Sequence, residues 1–205
     1  MCFYDVLFFN YAILNNDKNG RRVAQDMPMK DSAVLAAKPV SASALREQAY
    51  FVFPNDLNAN DTVFGGLIMA QMDRYCAVVA DRHAEGVCVT VGVDAVHFIA
   101  PARRGDVLIF NASINRAWNS SMEVGCKVDA EKVGTRERRH ILSAYLTFIA
   151  LDAAGKPCAV APVLPENPLE KLRYEEADLR REQRLRHARE LEALRSAAAV
   201  AAPPD

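Results

Sequence analysis

The chain has 205 residues, of which 51% are apolar, and its 25 lysines and arginines nearly balance 26 aspartates and glutamates, leaving a net charge of -1. That length suffices for one ordinary domain with extensions, and the lack of a basic excess argues against a nucleic-acid-binding protein. The cysteines are odd in number and contain no Cys-x-x-Cys pair, which argues against a zinc ribbon or a disulfide scaffold and for a reducing compartment. They are Cys2, Cys76, Cys88, Cys126 and Cys158.

The first 45 residues show no sustained hydrophobic period, and we expect residues 1–45 to be an N-terminal extension that is partly disordered. They open with MCFYDVLFFNYAIL, which is apolar but lacks a basic n-region and a small-residue cleavage site and contains Asp5 and Asn10. A signal peptide is therefore not expected, and 14 residues are too few to span a bilayer. We predict a cytoplasmic protein without a membrane span.

Residues 46–165 carry the signals of one folded domain. The stretch AYFVF predicts a short strand at 49–53 that Pro54 ends. Residues 67–85 contain neither glycine nor proline and are apolar on nearly every face. This pattern predicts a buried helix, with Gly86 as its C-terminal stop.

Further strands follow the helix. The β-branched run at 87–98 predicts one of them, and strict alternation of apolar residues predicts three more, over 108–114, 122–128 and 142–150. A turn and a last short strand, around 158–163, complete the domain. One strand, one long helix and four or five antiparallel strands predict an α+β fold in which a sheet curls around the helix. Its edge strands are left free, and this favours oligomers.

Residues 166–205 differ in composition from the rest. Segment 166–195 holds eight acids and eight bases, with acids dominant in the first half and arginines in the second, an order that suits the dipole of a helix. Its leucines form an imperfect apolar stripe without the three or four clean heptads of a coiled coil. We predict a charged helix, docked on its own domain or on a neighbouring subunit, followed by a frayed tail.

The segment PNDLNANDTVFGGLIMAQMD (54–73) joins a turn-rich loop to a glycine pair and a helix. A plain strand-to-helix connection would explain the loop. It does not explain Gly65 and Gly66 at the helix start, where Ser, Thr or Asp would cap better. Two glycines let a ligand approach the free N–H groups of the helix closely. Such a site suits a carbonyl oxygen that gains negative charge in a transition state.

Asp73 is the second unusual feature of this segment. Its helical neighbours three and four positions away are a methionine, a cysteine and two alanines, and burial of an unpaired carboxylate is costly. The acid either reaches a loop amide or an arginine of another strand, or acts in catalysis, and the nearby Asn58 and glycine pair favour catalysis. Cys76, one turn further, is expected to be a packing residue, because no base is adjacent to it in sequence.

The spacing of Gly66 and Asp73 constrains the geometry of such a site. They are seven residues apart, about 10 Å along one helix, which is too far for both to meet one reacting carbonyl group. Two antiparallel helices at a two-fold interface would bring Gly66 of one chain to Asp73 of the other. The sequence thus predicts an active site shared within a dimer.

Several segments resemble the hot-dog-fold acyl-CoA thioesterases, over roughly residues 49–165. They are PNDLNANDTVFGGLIMAQMD, VTVGVDAVHFIAPARRGD, SSMEV and TFIALDAAGKP, and they are most similar to the YciA-type bacterial acyl-CoA hydrolases and to brain acyl-CoA hydrolase. The resemblance implies a sheet wrapped around one helix and hydrolysis of medium- to long-chain fatty acyl-CoA to free acid and CoA. It also implies that no metal or other cofactor is needed, and that hot-dog dimers assemble further, often as trimers of dimers.

The resemblance also implies roles for residues. Asp73 corresponds to the catalytic aspartate, as general base on a water or as nucleophile, and Asn58 to an active-site asparagine. Gly65 and Gly66 correspond to the helix-start amides that polarise the thioester carbonyl. One departure is Asp61, where relatives usually carry glycine; aspartate tolerates a left-handed backbone better than most residues, so the turn is expected to survive.

Coenzyme A carries phosphates and a polar pantetheine arm, so cations and hydroxyl groups are expected near it. We name four candidate substrate-binding residues, although surface charges and turn-forming serines are commoner than ligands. They are Thr90, Ser120, Ser121 and Arg104.

Two other functions use the same fold. A hot-dog hydratase or dehydratase usually combines a histidine with the acid, and no histidine lies in segment 54–73. A non-catalytic acyl-CoA sensor would need a DNA-reading module, and residues 1–45 show no helix-turn-helix pattern. The presence of both Asn58 and Asp73 favours the hydrolase over the sensor.

Overall fold

The structure, a computed structural model, describes residues 35–201, with side chains through residue 197. The chain separates into two compact units that divide between Leu164 and Pro165. The sequence-based expectation of disorder in the N-terminal extension falls mainly on residues 1–34, outside the described residues. Within residues 35–201, no helix combines the length and the hydropathy needed to cross a membrane.

Over residues 35–164, the first unit contains seven strands and one long helix. In chain order they are β1 (Lys38–Pro39), β2 (Leu45–Phe51), α1 (Gly65–Ala84), β3 (Val87–Val93), β4 (Asp106–Ala117), β5 (Ser121–Lys132), β6 (Arg138–Leu151) and β7 (Val163–Leu164), with short 3-10 helices at Val40–Ala42 and Pro54–Asp56. Five strands form one antiparallel sheet in the order β2-β4-β5-β6-β3. β1 and β7 form a separate parallel pair.

The core lies between α1 and one face of the sheet. The helix packs against β3, β4, β5 and β6. It buries a single stripe of side chains spaced three and four residues apart, namely Ile68, Met72, Cys76, Val79, Ala80 and His83. The other side of the helix, with Met69 and Val78, is exposed in the single chain. The prediction that nearly every face of the helix is buried is therefore wrong for one protomer.

The predicted alternation of the three long strands is confirmed. Within the predicted segments 108–114, 122–128 and 142–150, the alternating apolar residues are all buried on the same face, because successive side chains of a strand point to opposite faces. They are Leu108, Phe110, Ala112, Ile114, Met122, Val124, Cys126, Val128, Leu142, Ala144, Leu146, Phe148 and Ala150. Each large side chain among them contributes about 1.5–3 kcal/mol to stability, so this face holds most of the core.

Element boundaries differ from the prediction in two informative places. β3 ends at Val93 rather than at residue 98, because the chain leaves the ladder after Asp94 donates to the Tyr145 carbonyl, and β propensity without a partner strand forms no sheet. The helix ends at Ala84, and the left-handed residue that terminates it is Glu85, with φ 53°, not the predicted Gly86.

The second unit is the helix α2 (Pro168–Ala201). Asn167 precedes it and accepts the Glu170 N–H through Oδ1 at 3.0 Å. Pro168, in the first turn, has no N–H to satisfy. On the helix surface the Glu176 carboxylate lies 3.5 Å from the Arg180 guanidinium, an i,i+4 ion pair. Capping and side-chain pairing thus explain where this charged helix begins and why it persists.

Burial of His83 predicts loss of stability in acid. Its Nε2 atom lies 2.8 Å from the Ala161 carbonyl oxygen, and burial lowers the pKa of this imidazole. The unfolded chain, with a histidine pKa near about 6.5, therefore binds the proton more readily, so stability falls as the pH drops below that value. We expect the melting temperature of the wild type to decrease from pH 7.5 to 5.5 more steeply than that of His83→Gln.

The exposed His187 gives the control, since His187→Gln is expected to keep the wild-type slope. Equal slopes of melting temperature against pH in all three proteins would contradict the prediction.

Candidate active site

The loop before α1 is closed by its own hydrogen bonds. Asn58 Oδ1 accepts the N–H of Asn60 at 2.8 Å, its Nδ2 donates to Thr62 Oγ1 at 2.9 Å, and its backbone N–H donates to the Thr62 carbonyl at 2.8 Å. Asp61 adopts φ 55°, which confirms that an aspartate accommodates the left-handed turn. The loop therefore fixes Asn58 in an exposed position ahead of the helix.

The helix start leaves two backbone donors available. Phe64 is the N-cap residue, and its side chain makes no capping hydrogen bond. The first backbone bonds of the helix are donated by Leu67 and Ile68 to the Phe64 carbonyl. Within the described part of the chain, the N–H groups of Gly65 and Gly66 have no acceptor. With the positive end of the helix dipole behind them, they can stabilise a negative oxygen atom.

The two glycines are needed because aromatic rings lie against them. A Cβ atom on Gly66 would stand 2.3 Å from the Phe64 ring, and one on Gly65 would stand 3.2 Å from the Phe98 ring. Beside them lies a cavity of about 370 Å³, lined mainly by apolar groups. Its lining residues are Thr62, Val63, Gly65, Ile68, Phe98, Ile99, Ala100, Pro101 and Ala102. The start of the helix thus stands beside an apolar cavity.

Asp73 faces the edge strand of the sheet. Its Oδ1 atom accepts a hydrogen bond of 2.8 Å from the Thr90 hydroxyl on β3. The acid is half-buried. Its hydrogen-bond partner is this threonine hydroxyl, and not a loop amide or an arginine. One carboxylate oxygen is anchored by a neutral donor, while Oδ2 has no acceptor or donor partner among the described residues. The charge of the carboxylate is therefore available for chemistry.

Cys76 is a packing residue, as predicted. It lies one turn after Asp73 and is buried against the sheet. A hydrogen bond with the Cys126 thiol, together with burial, raises the pKa of the Cys76 thiol well above its ordinary value. The thiol therefore stays protonated and is a poor nucleophile.

The remaining predicted residues lie on other parts of the unit. Ser120 and Ser121 lie at the turn between β4 and β5, where the Ser120 carbonyl accepts the Ala150 N–H. Arg104 is exposed in the turn before Gly105, which has φ 78°. No described contact joins these three residues, or Asn58, to Asp73. The structure brings together only Asp73 and Thr90, and it places Thr90 as a partner of the acid, a role that the sequence-based interpretation as a substrate-binding residue missed.

Comparison with known proteins agrees with these features. The family model of the thioesterase superfamily matches residues 60–136. The uncharacterised acyl-CoA thioester hydrolase YkhA of Bacillus subtilis is 36% identical over 146 residues, covering 71% of this chain and 85% of that protein.

Solved structures of acyl-CoA thioesterases are also similar to this chain. An apo-hexameric acyl-CoA thioesterase is 35% identical with a TM-score of 0.73, covering 75% of this chain and 98% of that one. The acyl-CoA hydrolase of Staphylococcus aureus, solved with butyryl coenzyme A, coenzyme A and coenzyme A disulfide, is 37% identical with a TM-score of 0.71, covering 81% and 99%. Three further structures of that hydrolase are of mutants in which an aspartate, a threonine or an asparagine is replaced by alanine.

An antiparallel sheet packed on one central helix, with free amides at the helix start and an acid within it, defines a hot-dog-fold thioester hydrolase. The chain belongs to the acyl-CoA thioester hydrolases of the thioesterase superfamily. The expected fold, class of enzyme and family resemblance are thereby confirmed.

Proposed function

We propose that this enzyme hydrolyses medium- to long-chain fatty acyl-CoA to free fatty acid and CoA, with Asp73 and the N-terminus of α1 as its catalytic elements. The single observation that carries the proposal is the half-buried Asp73, held through one oxygen by Thr90 and placed on the helix whose first amides are unpaired. A carboxylate can activate the nucleophile, and an oxyanion-stabilising helix end can stabilise the charge that develops on the thioester oxygen.

The active site is assembled from two chains. Gly66 and Asp73 are both in α1, and about 10 Å of helix separates them, so one chain cannot present both to one carbonyl group. The edge strand β3 carries the exposed Val87 and Val93, and among the strands of residues 35–164 it pairs only with β6. A second copy that pairs along this edge brings Asp73 of one chain towards Gly66 of the other. The homodimer is thus the minimal active unit, and the hexameric relative supports a trimer of such dimers.

The proposed reaction uses these groups in order. The thioester carbonyl oxygen accepts hydrogen bonds from the N–H groups of Gly65 and Gly66, with Gly66 the principal donor, and its carbon becomes more electrophilic. Asp73 either removes a proton from an attacking water or attacks the carbon itself. The tetrahedral intermediate then expels CoA as a thiolate, which is a good leaving group. On the general-base route this step gives the fatty acid directly, and the proton held by Asp73 passes to the thiolate. On the nucleophilic route it leaves a mixed anhydride on Asp73, which a water molecule hydrolyses to the fatty acid and the free carboxylate.

Asn58 has a supporting role in this proposal. Its Nδ2 atom uses one N–H for Thr62, and an amide nitrogen carries two, so one donor remains to orient the water or the carbonyl group. The intervals from Asn58 to Asp73 and from Asp73 to Thr90 equal those between the asparagine, aspartate and threonine that were replaced in the Staphylococcus aureus hydrolase. This agreement supports a shared site of the three residues.

Four residues are proposed to contact coenzyme A because of their positions in the fold. Thr90 borders the reacting centre through Asp73, whereas Ser120, Ser121 and Arg104 lie in turns at the ends of strands. We propose that the serines contact the pantetheine arm and that the exposed Arg104 attracts a CoA phosphate.

Removal of the Thr90 hydroxyl is expected to slow catalysis without abolishing it. Thr90→Val keeps the shape of the side chain but leaves Asp73 Oδ1 without its donor. A hydrogen bond to a charged group contributes about 1.5–3 kcal/mol, so we expect kcat to fall by about 10- to 100-fold with KM little changed. Thr90→Ser, which retains the hydroxyl, is expected to keep most of the activity. Equal losses in the two variants would contradict a role through this hydrogen bond.

The proposed reaction needs no metal ion or organic cofactor. Its parts are a carboxylate, two amides and a water molecule, and the leaving thiolate requires no Lewis acid. Activity is therefore expected to survive dialysis against EDTA and gel filtration without loss. A loss that added zinc or magnesium restores would contradict this part of the proposal.

The proposal is tested by thiol release from a panel of acyl-CoAs that runs from acetyl to palmitoyl, read with a thiol reagent. We expect turnover with a maximum between medium and long chains. A maximum at acetyl-CoA would contradict the proposed substrate range but not the reaction. Absence of thiol release from every member, with a cooperative melting transition showing a folded protein, would contradict the function itself.

A further inference from the structure

The helix α2 exposes a set of leucines that lie on one side of it. At 100° per residue, four leucines fall within an arc of about 80°, and each is more than half exposed. They are Leu169 (54%), Leu172 (51%), Leu179 (60%) and Leu194 (68%). We call this surface the leucine face. Scattered exposed leucines are common, but a row of them along one side of a helix marks an interaction surface.

The charges of the same helix are divided along its length. Residues 168–179 hold four acids and two bases, whereas residues 180–195 hold six arginines and three glutamates. A parallel pair of such helices would place acid against acid and arginine against arginine. An antiparallel pair would place the acidic half of each helix beside the basic half of the other, which is favourable by Coulomb's law.

We propose that the leucine face binds the leucine face of a second copy of this chain, in antiparallel orientation. A two-fold axis between Arg181 and Glu182 places Leu169 level with Leu194 of the second copy. The same axis places Leu172 level with the half-buried Leu191 of the second copy, so each end of the contact is apolar. One self-complementary surface, used twice, is what two-fold symmetry requires.

The centre of the contact is polar and fits the same orientation. With that axis, Glu176 lies level with His187 of the second copy, and both residues fall on the arc of the leucines. Apart from Leu179, which lies level with Arg184 of the second copy, the leucines of the face stand at its two ends, so the pair is a short symmetric contact rather than a heptad coiled coil. The contact contains none of the residues that form the active site, so it links chains independently of catalysis.

The test is disulfide cross-linking in the full chain. In the double variant Leu169→Cys/Leu194→Cys, the two new thiols lie roughly 37 Å apart along one helix, so they cannot bond within a chain, where Cα atoms must approach to about 6 Å. Mild oxidation with copper phenanthroline is expected to shift the protein from the monomer band to a covalent-dimer band on a non-reducing gel. Peptide mass spectrometry is expected to identify the bond as 169 to 194.

Three control proteins separate this contact from other arrangements. Leu169→Cys and Leu194→Cys as single variants are expected to remain monomeric on the gel, because the antiparallel register places neither residue beside its own copy. Lys171→Cys/Arg189→Cys, with both positions exposed on another side of the helix, is expected to remain monomeric too. Dimers from a single variant would show a parallel pair and overturn the proposal. A double variant that melts like the wild type yet stays monomeric, or links through any other cysteine pair, would also overturn it and leave the leucine face to a different partner.

Discussion

Asp73→Asn is expected to lower kcat/KM for acyl-CoA by about 10²- to 10⁴-fold, the range that a general base contributes. The substitution keeps the size of the side chain, and the asparagine Oδ1 atom can still accept the Thr90 hydroxyl at the position where Asp73 does. What disappears is the charge that activates water or attacks the thioester. We therefore expect a melting temperature close to that of the wild type and binding of acyl-CoA that survives without turnover. Thiol release and isothermal titration measure the two quantities.

The same helix supplies a matched control for this variant. Asp81 lies two turns after Asp73, and its Oδ1 atom accepts the Cys88 N–H at 2.9 Å. Asp81→Asn makes the same chemical change on an exposed surface away from the glycine pair, so it is expected to keep wild-type turnover. Full activity of Asp73→Asn, or equal losses in both variants, would remove Asp73 from the reaction.

Water labelled with oxygen-18 separates the two possible roles of Asp73. If Asp73 is the nucleophile, water that cleaves the mixed anhydride at the aspartyl carbonyl leaves the label in the enzyme and one of the enzyme's own oxygen atoms in the fatty acid, so label in Asp73 shows the covalent route. If Asp73 is a general base, the label appears in the fatty acid at the first turnover and the enzyme gains no mass. Mass spectrometry of both products after one turnover gives the answer.

The local pattern of the sequence predicts the sheet well, because each long strand places its run of apolar residues on one face. From Leu108 to Ile114, large or small apolar residues occupy every second position, and this period of two is typical of a β-strand. The pairing of Lys38 with Val163 in the β1–β7 ladder had no such signal. A two-residue strand carries no period, and its partner is more than a hundred residues away. The end of β3 was missed for a related reason, since the apolar run continues to Phe98 although the chain leaves β6 after Asp94 and meets it again only where the Ile99 N–H donates to the Ile141 carbonyl.

The residues of the candidate site were identifiable for different reasons. Asp73 stands out in sequence because its helical neighbours are apolar, and the glycine pair stands out because serine, threonine or aspartate would cap the helix better. The hydrogen bond between Thr90 and Asp73 joins residues on two elements, α1 and β3, and no local pattern encodes which residue of an edge strand meets the helix. A loop residue such as Asn58 is difficult to interpret from sequence for another reason. An asparagine suits both the local hydrogen bonds of a turn and a catalytic role, so its presence does not distinguish the two.

Two inactive variants are expected to restore activity to each other when they are combined in one dimer. Gly66→Val places a branched side chain where a single Cβ already meets the Phe64 ring at 2.3 Å, and its methyl groups obstruct the approach of the carbonyl oxygen to the amide. Loss of one oxyanion-stabilising donor costs about 10²- to 10³-fold in kcat. Asp73→Asn removes the acid instead, so each variant alone is expected to be nearly inactive.

Co-expression of the two chains decides whether the site is shared. In a mixed dimer, one site combines the intact Gly66 of the Asp73→Asn chain with the intact Asp73 of the Gly66→Val chain, while the other site lacks both groups. Random pairing at equal amounts makes half of the dimers mixed, each with one intact site, so activity is expected to return to about a quarter of the wild-type value. If each chain contained a complete site, every site in the mixture would carry one defect and activity would stay at the level of the separate variants.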